Sequence, residues 1–97
     1  MALKNSDHNQ VLRELQKLPN VGPAIAEDLV LLGVRRVEDL KSRNADEMYS
    51  QLCSKTGSRQ DPCVWDTFAA VVDYAHTGQP RKWWEFTQER KKRGLKL

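Results

Sequence analysis

The longest unbroken apolar stretch in this 97-residue sequence is five residues, Phe68 to Val72, where a membrane-spanning helix needs about 18. The N-terminus carries no basic stretch leading into an apolar segment, the pattern of a secretory signal. Cysteine is scarce, at two residues, which excludes a disulfide scaffold and fits a reducing compartment. The expected location is therefore cytoplasmic, with no membrane partner. Period-two alternation of β-branched residues is missing, so strands are not expected. No Ser–His–Asp, paired-carboxylate or P-loop arrangement can be assembled from local motifs, and the cysteine spacing matches no zinc pattern. The chain is read as a non-enzyme with no cofactor and no metal.

What is present suffices for one small domain. Hydrophobic residues make up 39% of the chain and charged residues 30%, the balance of a globular rather than a disordered sequence. The net charge of +3 is unevenly placed. Residues 1–80 hold nine Lys/Arg against eleven Asp/Glu, while residues 81–97 hold seven basic residues against Glu85 and Glu89. The body is slightly acidic and the C-terminal segment strongly basic, which suggests a polyanionic partner for that segment.

Helical periodicity and capping signals divide the chain. Val11, Leu12, Leu15 and Leu18 share one face. Pro19 to Pro23 forms a tight turn, and Pro23 suits the first position of a second helix, with Gly33 as its stop. Asn44 followed by Glu47 is a capping pair, and Asp61-Pro62 starts the most hydrophobic helix. Trp83, Trp84 and Phe86 mark a last helix fading into the basic tail. The expected fold class is all-α, about five short helices, with residues 1–8 a flexible N-terminus, 9–88 the domain and 89–97 a flexible basic tail. Helix, Gly-containing turn and Pro-initiated helix occur at 11–32 and again at 45–77, a faint internal echo.

Leu18-Pro19-Asn20-Val21-Gly22-Pro23-Ala24-Ile25-Ala26 is the most informative stretch. Gly22 lets another backbone or a phosphate approach closely. The N–H groups that follow Pro23 open a helix without intrahelical acceptors. No Ser, Thr or Asp stands at Gly22 to cap them, and free donors at a positive helix end make an anion site. These residues resemble the helix-hairpin-helix modules that bind DNA without sequence preference, within the SAM-like class of small helical domains. Leu32-Gly33-Val34-Arg35-Arg36-Val37-Glu38-Asp39-Leu40 resembles the segment that often follows such hairpins. From about Leu12 to Lys91 the chain is similar to the bacterial pathogenicity-locus helix-hairpin-helix proteins, some of them called mitomycin resistance proteins. That span includes Asp61-Pro62-Cys63-Val64 and Trp83-Trp84. A more distant likeness is to the C-terminal domain of TfoX-type competence regulators. The resemblance implies a phosphate site at Asn20, Val21, Gly22, Ala24, Ile25 and Ala26 and a setting in DNA repair or damage resistance. Asn20 replaces a glycine common in such hairpins, but Asn tolerates left-handed geometry.

Lys17, Arg35, Arg36 and the cluster Arg90, Lys91, Lys92 and Arg93 are the expected electrostatic support. Trp83 and Trp84 point about 100° apart on a helix, so at most one is expected to be a deeply buried core anchor; beside Arg81 and Lys82 an exposed ring reads as a stacking surface or a contact for a second protein. Cys63, early in a helix and ten residues after Cys53, reads either as a quiet buried thiol or as one activated by the helix end. The expected function is sequence-independent DNA binding. The alternative is a module that contacts a protein partner or a second copy, with the hairpin only structural.

Overall fold

A computed structural model describes residues 5–95 and 97. Five helices run in the order α1 (Asn5–Leu15), α2 (Pro23–Leu31), α3 (Ala45–Thr56), α4 (Pro62–Thr77) and α5 (Trp83–Lys92), with a 3-10 turn at Val37–Leu40 between α2 and α3. No strand occurs among the described residues, so the chain is all-α. None of the described helices is long and apolar enough to cross a membrane.

Local chemistry sets most boundaries. Asn44 Oδ1 accepts the Glu47 N–H at 2.9 Å and opens α3, which ends at Gly57 with φ of 69°. Asp61 Oδ1 accepts the Cys63 N–H at 3.0 Å and opens α4. Glu85 Oε2 receives the Lys82 N–H at 2.8 Å at the start of α5. Each bond satisfies a donor that would otherwise point at solvent.

Helix α4 is the centre of the domain, packing on α3, on α5 and on the 3-10 turn, while α1 pairs with α2. Trp65, Phe68 and Val71 of α4 are buried with Leu15, Leu29, Leu40, Met48, Leu52 and Phe86 in one core. Burying such side chains is worth about 1.5–3 kcal/mol each.

Helix extends past two of the expected boundaries. The chain is already helical at Asn5, inside the segment expected to be flexible, whose first four residues lie outside those described. At the other end, the boundary expected at 88/89 falls inside α5, which runs on to Lys92. Basic residues in a last turn complement the helix dipole, and Arg90 is tied to the core. Its Nε lies 2.8 Å from Oδ1 of Asp66, whose side chain is fully buried, and Thr87 Oγ1 donates to the other Asp66 oxygen at 2.6 Å. Leu95 and Leu97 also pack against the core.

Candidate nucleic-acid interface

Leu18 and Val21 are buried and anchor the α1–α2 turn, and the Val21 N–H closes it on the Leu18 carbonyl at 3.3 Å. Between them Asn20 takes φ of 70°, a left-handed conformation that Asn adopts more readily than most residues. Gly22 is extended, with φ −98° and ψ −173°, and no side chain caps the helix it starts. A Cβ built on Gly22 meets nothing within 4 Å, so the glycine is demanded neither by backbone strain nor by internal packing. The space beside it is open to a ligand.

The first helical bond of α2 runs from the Ala26 N–H to the Gly22 carbonyl at 3.0 Å. Pro23 has no N–H, and the N–H groups of Gly22, Ala24 and Ile25 meet no acceptor among the described residues. The open donors at the start of α2 are therefore those of Gly22, Ala24 and Ile25. Ala26 is not among them: its N–H is engaged and the residue is fully buried. Val21 is likewise a core residue with an engaged N–H. In the echo at α3–α4, Asp61 fills the position that Gly22 leaves open, so that second helix start is closed to an anion.

The Asn20 side chain has a different role from the one expected. Its Nδ2 donates to the Arg81 carbonyl at 2.7 Å and its Oδ1 accepts the Trp83 N–H at 3.1 Å. Asn20 thus fixes the start of α5 against the α1–α2 turn instead of meeting a ligand. Asn20→Gly keeps the left-handed turn but removes both bonds, and about 1–2 kcal/mol of stability should be lost, measurable by urea unfolding.

The expected cations divide into free and structural groups. Lys17, Arg35 and Arg36 line one recess of about 400 Å³ with Glu14, Glu38 and Tyr74. They come together, although Gly22, Ala24 and Ile25 do not line that recess. Lys17 lies 3.0 Å from Glu14, and Asp39 receives the backbone N–H groups of Arg35 and Arg36 at 2.9 and 3.2 Å. In the tail cluster, Arg90 belongs to Asp66, and Arg93 lies 3.0 Å from Asp46 and over the Trp65 ring at 5.7 Å. Lys91 and Lys92 are exposed and have no acidic partner within ion-pair distance among the described residues. Near the hairpin, burial and the adjacent Glu27 raise the Asp28 carboxyl above its usual range, and His8 lies 3.3 Å from Glu27.

The tryptophans overturn the core reading. Trp83 is 36% and Trp84 54% exposed. Phe86 faces the core, and Trp84, two residues earlier, lies about 200° around the helix on the outer side. Their rings meet edge to face at 5.7 Å, and Lys82 Nζ lies 5.8 Å from the Trp84 centroid. Arg81 stacks on Phe86 at 4.4 Å. Asn20 joins this cluster to the hairpin across more than sixty residues of sequence, a distance no local motif spans.

For Cys63, burial, followed by the Asp61 carboxylate, pushes the thiol above the ordinary range, which favours the quiet thiol over the activated one. Alkylation of Cys63 at neutral pH should therefore be slower than that of a free cysteine, as a mass-resolved iodoacetamide time course would show.

Comparisons with known proteins follow the same span. The sequence profile of Cdd1, the pathogenicity locus family, matches residues 8–92. Mitomycin resistance protein McrB of Streptomyces lavendulae is 35% identical over 79 residues, covering 81% of this chain and 75% of that protein. No solved structure matches the chain.

Proposed function

The chain belongs to the pathogenicity locus family, and from that premise we propose that it binds DNA through the phosphate backbone, independently of sequence and without catalysis. The observation that carries the reading is the open start of α2. Three N–H groups lack acceptors there among the described residues, beside a glycine whose missing side chain leaves free space. A phosphate oxygen is the acceptor such donors fit. Lys91 and Lys92, with Arg35 and Arg36, supply longer-range attraction. The name of the Streptomyces lavendulae relative is the reason to seek this activity in damage resistance.

The test is fluorescence anisotropy of a labelled duplex over a salt series, with wild type and a Lys91→Ala/Lys92→Ala double variant. Removing residues 89–97 is unsuitable, because it strips Arg90 from Asp66. Binding that falls steeply with salt, with a slope reduced by about two in the double variant, is the expected result. No binding at low salt overturns the reading. The exposure of Trp84 favours a second reading, a protein-contact module, which predicts association that survives salt and fails in Trp84→Ala.

A further inference from the structure

We propose that Trp84 and Lys82 form a stacking site for an unpaired nucleobase, so that the preferred ligand is DNA carrying single-stranded nucleotides beside a duplex. The inference rests on the phosphate-binding reading above and names the DNA structure that the same surface selects.

Four observations meet there. Trp84 projects from the outer side of α5 and is more than half exposed. Trp83 braces it edge to face, with the two rings at 82° to one another, so little freedom is lost when a base stacks. Lys82 stands over the Trp84 ring and has no acidic partner within ion-pair distance among the described residues. Asn20 holds the platform against the turn whose next residues, Gly22 and Ala24, offer free N–H groups. The nearest acid in sequence, Glu85, is engaged by the Lys82 N–H and lies 3.6 Å from Arg81 Nε.

A flat exposed ring, a free ammonium and open backbone donors match the parts of a nucleotide: a base with an available π-face and a phosphate. In a paired, stacked duplex the base faces are covered, so only unpaired bases can use the ring. The charge of the platform also argues against an apolar protein surface as its occupant, since Lys82 and Arg81 would have to be desolvated with the ring.

The test compares a blunt duplex with the same duplex carrying a single-stranded extension, by anisotropy, for wild type, Trp84→Ala, Trp84→Phe and Asn20→Gly. Wild type should bind the extended DNA about tenfold more tightly. Trp84→Ala should erase that preference and leave blunt-duplex affinity unchanged; being exposed, the site tolerates the change without unfolding. Trp84→Phe should keep most of the preference, and Asn20→Gly should weaken it. Blunt-duplex binding with no preference in wild type, or a preference that survives Trp84→Ala, overturns the stacking site and leaves the phosphate reading standing. Failure of both DNAs to bind removes both readings. Loss of self-association in Trp84→Ala, with DNA binding unchanged, assigns the ring to a protein contact and overturns the proposal.

Discussion

Asp66→Ala should lower the stability of the domain by about 3–5 kcal/mol, because it leaves the Arg90 guanidinium and the Thr87 hydroxyl without their partner. The Asp66 side chain is 0% exposed and that of Arg90 17%, so little water is available to replace the carboxylate. The Asp66 hydrogen bond also strengthens the charged form of Arg90, whose pKa is raised further. For a domain of this size the loss is about a fifth or more of the total, a fall of about 15–30 °C in Tm. Lys91→Ala and Lys92→Ala, one and two residues along, should stay within about 0.5 kcal/mol of wild type. Replacing the pair together, Asp66→Leu with Arg90→Met, should recover much of the loss, since two apolar groups avoid the cost of stranding one charge. Urea unfolding followed by circular dichroism reads all of these. A loss below about 1 kcal/mol for Asp66→Ala would return Arg90 to the solvated tail.

That pair shows where sequence reading stops. Asn44, Asp61, Gly33 and the Pro19–Pro23 turn were legible because each acts on neighbours within a few residues. The Asp66–Arg90 and Asn20–Trp83 contacts join residues 24 and 63 apart, and nothing in local spacing specifies them. A signal for the first exists: Asp66 is the acid embedded in the Val-Trp-Asp-Thr-Phe run of α4, and a buried carboxylate demands a cation. The charge count, by contrast, misleads. It treats Arg90 to Arg93 as one basic cluster, although helical geometry turns Arg90 toward the core and leaves Lys91 and Lys92 outside. The two tryptophans fail as core anchors for a related reason. Trp65 and Phe68 already fill the centre, and Phe86 fixes the rotation of α5.

Gly22→Asp should act on stability and binding in opposite directions. Gly22 sits at the N-cap with an extended backbone that any residue adopts, and its Cβ position is unobstructed. An Asp there can accept the Ala24 or Ile25 N–H and place a negative charge at the positive helix end. Stability should rise by about 0.5 kcal/mol. The same carboxylate occupies the anion site and repels a second anion. One or two charge-assisted hydrogen bonds are lost, at about 1.5–3 kcal/mol each, so DNA affinity should fall about a hundredfold. A variant that is more stable and yet no longer binds separates a ligand site from a merely structural turn, because damage to the fold cannot produce that combination.

The most direct measurement is therefore an anisotropy titration of duplex DNA at low salt with wild type and Gly22→Asp, each protein checked for unfolding free energy in the same buffer. The expected result is salt-sensitive binding by wild type and about a hundredfold loss in a Gly22→Asp protein at least as stable. Unchanged affinity in that variant would contradict the account, making the α1–α2 turn a packing element and leaving any DNA contact to the exposed lysines.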